Sequence, residues 1–154
     1  MLRLAPALVL LLVASACSCD DEQTRNEAML FIDRIEDFDV DDDIEDRRRV
    51  VDSIRELALT DPDVIAARDT CVAAYGALIE AEDQHALARH LLVGTFLPDG
   101  GEQAIAPEMQ AQIEGALDHS TEALARSQEA VPRCTRAVGA LERRFPRRHA
   151  ASSR

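Results

Sequence analysis

The chain contains no tryptophan, no lysine and a single tyrosine, and aromatic residues make up only 3% of its 154 residues. A sheet protein normally uses more aromatic side chains, whereas 47% apolar residues are sufficient for one helical core. Because lysine is absent, all 17 cations are arginine, which we attribute to a G/C-rich coding bias rather than to designed bidentate sites. We therefore expect one all-α domain.

Sequence motifs for the common catalytic chemistries are also missing. The chain has no glycine-rich phosphate loop, no C-x-x-C-H haem motif and no G-x-S-x-G. Asp118, His119 and Ser120 are adjacent, but successive residues of a helix point about 100° apart and cannot align as a nucleophile triad. We predict no catalytic residue, no cofactor and no enzymatic activity.

The charge of the chain is strongly negative and unevenly distributed. The formal net charge is −12, yet residues 133–154 carry one acid against seven arginines. An acidic surface repels phosphate, so we expect no nucleic acid as a partner. The arginines near the C-terminus lie at the end of the last predicted helix and in a disordered basic tail predicted over residues 147–154. They are interpreted either as favourable charge at a helix C-terminus or as a contact to anionic head groups or wall polymer, and they are Arg143, Arg144, Arg147 and Arg148.

The first apolar run is too short to cross a bilayer. It spans residues 4–14, follows one arginine and precedes small residues, which is the order of a secretory signal peptide. The three small residues before Cys17 resemble the lipobox of bacterial lipoproteins, in which the cysteine becomes the lipidated first residue of the mature protein. The resemblance implies a signal peptide over residues 1–16, a lipidated N-terminus and short linker over residues 17–22, and a cell-envelope protein anchored to the membrane by covalent lipid such as palmitate.

Two other interpretations of this segment stay open. Cys19 fits the lipobox more loosely, and lipidation there would place Asp20 next to the modified residue. Lipoprotein families in some bacteria use an aspartate at that position to stay in the inner membrane, whereas lipidation of Cys17 predicts the outer membrane. An ordinary cut after Ala16 would instead release a soluble secreted helical protein.

The two remaining cysteines, Cys71 and Cys134, are predicted to form a disulfide. Disulfides persist outside the cytoplasm, so an exported chain favours pairing. Both residues lie on apolar seams of the last two predicted helices, at ~33 and ~40 Å from the turn that joins them if each residue rises 1.5 Å. These distances agree closely enough for a bridge across an antiparallel helical hairpin.

Apolar periodicity predicts four helices, over residues 23–38, 44–59, 62–93 and 107–145, within a bundle domain over residues 23–146. Asp61 is predicted to cap the third helix ahead of Pro62. We expect a four-helix bundle in which two short N-terminal helices pack on a long antiparallel helical hairpin. The predicted seam of the third helix contains Val64, Cys71, Leu78, His85 and Leu92 beside the alanines Ala67, Ala74, Ala81 and Ala88. That of the fourth contains Ile113, Leu117, Ser120, Leu124, Ser127, Val131, Cys134, Val138, Leu141 and Phe145.

An acidic turn follows the first predicted helix and looks like part of an EF-hand calcium loop. Its acids take alternate positions, at Asp37, Asp39, Asp41 and Asp43. However, Asp42 stands where such loops carry glycine, and Arg48 stands where they carry the bidentate glutamate. We therefore interpret the turn as a solvated connection between two helices.

Glu82 and His85 form a single Glu-x-x-His on the third predicted helix. Di-iron bundles need a second such motif and two further glutamates, which the chain does not supply at the right spacing. No metal ion is expected. The function expected from the sequence is a structural or protein-interaction role in the cell envelope, with an envelope protein as the partner class and the oligomeric state open. A metal-binding or small-ligand-binding bundle is the alternative.

Overall fold

The computed structural model describes residues 17–93 and 105–147, with the side chains of residues 17–20 left out. Four helices follow one another in these ranges: α1 (Cys17–Glu36), α2 (Ile44–Arg55), α3 (Pro62–Val93) and α4 (Pro107–Arg144). The described residues contain no strand. α3 and α4 form a long antiparallel hairpin, and the two short helices pack on it, which confirms the predicted architecture. The predicted signal peptide lies outside the described residues.

The start of α3 follows the predicted capping chemistry. One carboxylate oxygen of Asp61 accepts the backbone N–H groups of Asp63 at 2.9 Å and Val64 at 3.1 Å. Pro62, which has no N–H to satisfy, occupies the first helical position. The helix therefore begins where the sequence predicts it.

The bounds of α1 differ from those expected at both ends. The helix already begins at Cys17 rather than at residue 23, and it ends at Glu36. Phe38 lies beyond this end, in the turn, where its ring stacks on Tyr75 with the centroids 4.1 Å apart. An apolar residue of a connecting segment thus extends the apolar periodicity past the end of the helix.

The second helix is also shorter than expected, ending at Arg55 rather than at residue 59. Leu57 and Leu59 follow it in the connection to α3, partly buried against the core. The carbonyl of Leu57 accepts a hydrogen bond from the guanidinium of Arg68 at 3.1 Å. The connection therefore adds apolar side chains to the core without being helical.

Two contacts fix the register of the α3–α4 hairpin. Cys71 and Cys134 form a disulfide, with their Cα atoms 4.7 Å apart, as predicted. Closer to the end of the hairpin where α3 stops and α4 starts, the guanidinium of Arg126 pairs with the carboxylate of Glu80 at 2.8 Å. Since the two residue numbers add to nearly the same value in both pairs, the helices run antiparallel without a shift in register.

The contact between α3 and α4 is built on small residues from both helices. The alanine column predicted on α3 is buried throughout, at Ala67, Ala74, Ala81 and Ala88. On α4, an alanine column with the same seven-residue period is buried as well, at Ala116, Ala123 and Ala130. Small side chains allow the two backbones to approach closely.

This arrangement corrects the predicted seams. Leu117 and Leu124 were expected between the helices, but they lie beside the alanine column and are 40% and 41% exposed. On α3, His85 and Leu92 are also exposed instead of buried in the seam. The other predicted seam positions of α4, such as Ile113, are buried or partly buried.

The main core lies at the half of the hairpin that carries the disulfide. α1 contributes its apolar face there, with Ala28, Phe31, Ile32 and Ile35 buried. A second, smaller cluster lies near the end of the hairpin where α3 stops and α4 starts, and it contains Ala88, Ile113 and Ala116. Among the helices in the described ranges, none combines the length and the apolar character that a bilayer crossing requires.

Candidate functional site

The predicted lipidation sites, Cys17 and Cys19, lie in the first turn of α1. Their side chains lie outside the described residues. Further along this helix, Thr24 donates a hydrogen bond to the carboxylate of Asp61 at 3.1 Å, and Arg25 donates one to the carbonyl of Pro146 at 2.6 Å. The start of α1 therefore lies at the end of the bundle where α3 begins and α4 ends.

The acidic turn forms hydrogen bonds within itself and with α1. The carboxylate of Asp37 pairs with Arg34 at 3.4 Å, and that of Asp39 accepts the backbone N–H of Asp41 at 2.9 Å. Asp43 directly precedes α2, without a side-chain cap. Within the ranges that the structure describes, no three His, Cys, Asp or Glu side chains are grouped to hold a metal ion.

Glu82, the other metal candidate, is paired with an arginine. Both terminal nitrogens of Arg47 in α2 donate to its carboxylate, one of them at 2.8 Å. Arg47 is only 6% exposed, and its hydrogen bond to Glu82 raises the pKa of the guanidinium above its usual value. His85, one turn further along α3, is exposed. The structure therefore gives Glu82 a role in joining α2 to α3 and does not bring it to a ligand set.

A second ion pair lies next to the first. Arg48 donates to both carboxylate oxygens of Asp83, at 3.1 and 3.0 Å. The sequence analysis missed both pairs, although a signal for one was present. Arg47 falls three residues after Ile44 and four before Val51, on the apolar stripe of α2, where a charged residue needs a buried partner.

Glu27 of α1 forms a polar junction that the sequence analysis also missed. Its carboxylate accepts the backbone N–H groups of Asp61 at 2.9 Å and Thr60 at 2.7 Å, and also the hydroxyl of Thr60 at 2.6 Å. These hydrogen bonds, led by the one from the Asp61 N–H, lower the pKa of Glu27 from 4.5 to about 2. The junction ties α1 to the start of α3.

Two of the C-terminal arginines, Arg144 and Arg147, have partners in the protein. Arg144 pairs with Asp63 at 3.0 Å. Arg147 pairs with Asp33 at 3.2 Å and with Glu36 at 2.6 Å on α1. Arg148 lies outside the described residues. These contacts attach the end of α4 to the start of α3 and attach residue 147 to the side of α1.

Exposed apolar residues are concentrated in the half of the hairpin where α3 stops and α4 starts. Of the eight large apolar side chains that are exposed in the described ranges, six lie between the Arg126–Glu80 pair and that end. They are Leu87, Leu92, Val93, Ile105, Leu117 and Leu124. Contiguous exposed apolar residues on a soluble domain mark interaction sites more often than isolated ones do.

Leu117 and Leu124 belong to one column of α4 with a seven-residue period. The other members of this column, Val131, Val138 and Phe145, pack against the main core to which α1 contributes. α1 ends at Glu36, so the column continues past the part of the hairpin that α1 covers. Thr121 and Gln128 each lie four residues after one of these leucines, on the same side of α4, and both are exposed and uncharged. We call this set of four residues the distal face: Leu117, Thr121, Leu124 and Gln128.

The distal face combines apolar and uncharged polar side chains. Its four residues carry no formal charge, whereas the exposed acids Glu114, Asp118 and Glu122 stand close to them on α4. A face with two leucines, one hydroxyl, one carboxamide and no charge has the composition of a helix-packing surface, and it offers no group for acid–base catalysis. Comparison of the chain with protein-family models, with curated proteins and with solved structures finds no match.

Proposed function

We propose that the protein is a bacterial cell-envelope lipoprotein that binds a helix of another protein chain through the distal face. One observation carries the binding role. Leu117 and Leu124 are 40% and 41% exposed, although the remaining members of their column pack against the core. Covering them with a helix would extend a mode of packing that the protein already uses for α1.

The proposed location in the cell envelope depends on the N-terminal sequence. The apolar run followed by small residues and Cys17 resembles a lipoprotein signal, with Cys19 as the alternative lipidation site. Two or more acyl chains would anchor the protein firmly, at about 0.8 kcal/mol for each buried CH₂ group. The domain itself then needs no apolar contact with the bilayer.

The bundle separates the proposed anchor from the distal face. α1 begins at Cys17, at the end of the bundle where α4 finishes with Arg144. The two leucines of the distal face lie 20 and 27 residues before Arg144, which corresponds to roughly 30 to 40 Å along the helix. The hairpin would thus hold the binding surface away from the anchored end.

Mass spectrometry of the protein from bacterial membranes tests the lipid anchor. We expect an acylated N-terminal peptide that starts at Cys17, and we expect Cys17→Ser to abolish both acylation and membrane association. Loss of acylation in Cys19→Ser alone would transfer the site to Cys19. An unmodified chain in the soluble fraction would contradict the lipoprotein proposal and favour the secreted form.

Site-specific photocrosslinking in the same membranes tests the binding role. A photoreactive amino acid at position 124 is expected to give a covalent adduct with another protein chain. The same amino acid at position 135, an exposed α4 residue beyond the distal face, is the matched control and should give none. Equal labelling at both positions, or none at position 124, would contradict binding through the distal face.

A further inference from the structure

We propose that three arginines of α4 contact the anionic head groups of a bilayer, so that the anchored bundle is tilted with its distal face away from the membrane. The three residues are Arg133, Arg136 and Arg143, and we call them the arginine face. The inference rests on the membrane location proposed above and adds a second membrane contact to it. It concerns a different surface from the distal face, and it is tested on a chain without acyl groups.

The helix α4 separates its charges along its length. Its first part carries no arginine and four acids, which are Glu108, Glu114, Asp118 and Glu122. From Arg126 to its end it carries five arginines and only two acids, Glu129 and Glu142. An anionic surface therefore attracts one half of this helix and repels the other.

The arginine face has no partner among the residues that the structure describes. Arg126 and Arg144 pair with acids of α3, whereas Arg133, Arg136 and Arg143 are exposed and join no hydrogen bond or ion pair within the described ranges. Spacings of three and seven residues place all three on one side of α4. Glu129, seven residues before Arg136, lies on that side too, which leaves three arginines against one acid. These charges are therefore free to bind an anionic partner outside the chain.

The arginine face lies at the end of the bundle that carries the proposed anchor. α1 begins at Cys17, at the end where α4 finishes. Arg143 is in the last turn of α4, and Arg133 lies ten residues earlier, about 15 Å along the helix. Acyl chains on Cys17 would hold this part of α4 within reach of the head groups. Anionic lipids attract each arginine that is held near their surface.

The acids of the chain determine what this contact can do. Asp21 and Glu22 are exposed close to the proposed anchor and act against the attraction, so the arginine face orients an anchored chain rather than binding a free one. At physiological salt a charge is screened beyond about 8 Å, so the net charge of −12 acts mainly through the acids nearest to the membrane. The acidic half of α4 is repelled and rises from the surface. Because the distal face belongs to that half, it points away from the bilayer.

Photocrosslinking to lipid measures which half of α4 touches the bilayer. Residues 17–154 with Cys19→Ser are coupled through the thiol of Cys17 to a maleimide lipid, which replaces the acyl anchor. A photoreactive amino acid at position 140, between Arg136 and Arg143, should label lipid severalfold more in vesicles with about 30% phosphatidylglycerol than in pure phosphatidylcholine. Salt at about 0.5 M should remove most of this difference, because it screens the attraction.

Position 111 is the matched control on the same helix. Ala111 and Ala140 are both exposed alanines on one side of α4, about eight turns apart, and Ala111 lies among the acids. The photoreactive amino acid at position 111 should label little lipid in either kind of vesicle. Equal labelling from both positions would overturn the tilted orientation, and no labelling from position 140 in anionic vesicles would overturn the contact itself.

Substitution of the arginine face identifies the residues responsible. Arg133→Gln, Arg136→Gln and Arg143→Gln together should reduce labelling from position 140 to the phosphatidylcholine level. The midpoint of thermal unfolding should stay unchanged, because the three side chains are exposed and have no partner in the described ranges.

A second triple variant controls for the change in net charge. It replaces three exposed arginines of the other helices by glutamine and should keep the labelling; they are Arg34, Arg49 and Arg89. Undiminished labelling in the arginine-face variant, or an equal loss in both variants, would overturn the assignment. Since the maleimide lipid supplies the anchor, these results are independent of acylation in bacteria, which mass spectrometry of the native protein decides.

Discussion

Replacement of Glu27 by glutamine tests the junction between α1 and α3. The carboxylate accepts the backbone N–H groups of Thr60 and Asp61 and the hydroxyl of Thr60. Glutamine keeps the size of the side chain but removes the charge, and it presents an NH₂ group where one oxygen accepts hydrogen bonds. At neutral pH, Glu27→Gln should therefore lower the free energy of unfolding.

The pKa of Glu27 gives the size of the effect. A pKa of about 2 in the folded chain, against its ordinary value of 4.5, corresponds to a stabilisation of about 3.4 kcal/mol at neutral pH. Because the group is partly exposed and solvent screens its interactions, we expect about half of this, roughly 1.7 kcal/mol. The folded pKa is the lower one, so the stabilisation is complete above pH 4.5 and is lost as the pH falls towards 2. At pH 3, less than about half of it should remain.

Urea unfolding of the parent and Glu27→Gln at pH 7 and pH 3 measures this difference. Subtracting the two chains at each pH cancels the contribution of the other acids, which titrate in both. Glu22→Gln is the control, because it removes the same charge from an exposed position on α1 and should leave the stability within about 0.5 kcal/mol, the range usual for surface changes. A Glu27→Gln difference of the same size at pH 7 and pH 3, or no difference at pH 7, would refute the reasoning.

Three further changes have expected outcomes that chemical or thermal unfolding can measure. Removing the disulfide with Cys71→Ala and Cys134→Ala opens a loop of 63 residues and should cost about 4 kcal/mol, whereas an unchanged midpoint would deny the bridge a stabilising role. Gly76→Ala should stabilise α3 by about 0.5 to 1 kcal/mol, because a Cβ there meets nothing within 4 Å. Arg47→Met should destabilise by about 1 to 3 kcal/mol, because it leaves Glu82 without its guanidinium partner; a more stable variant would mean that burying the pair costs more than it contributes.

The helices and the disulfide could be predicted because their signals are local or, for the disulfide, follow from the export that the N-terminal sequence predicts. Asp61 and Pro62 specify a helix start through groups only a few residues apart. The pairing of Cys71 with Cys134 needed only two seams and a turn of known position. By contrast, the carboxylate of Glu27 meets Thr60 and Asp61 across more than thirty residues of sequence. Such a contact depends on the final packing of α1, which no spacing in the sequence reports.

The error in the α4 seam has a more general cause. A search for apolar periodicity gives large side chains more weight than alanine, so it selects the column of Leu117 and Leu124. The alanines at 116, 123 and 130 repeat with the same period and are buried, while predicted seam residues such as Ile113, Ser120 and Cys134 also meet α3. The matching alanine column on α3 was a usable signal, because close approach requires small residues on both helices.

The alanine contact also explains why the distal face exists. Because small residues fill much of the space between α3 and α4, Leu117, Leu124, Val131 and Val138 lie beside that contact, where a third helix can cover them. α1 provides this cover, but with 20 residues it spans only about 30 Å, whereas the 38 residues of α4 span about 57 Å. The uncovered part of the column still carries leucines at positions where the surrounding surface is charged. Leu117 and Leu124 keep about 40% of their surface exposed there, and a helix from outside, as proposed above, would cover it.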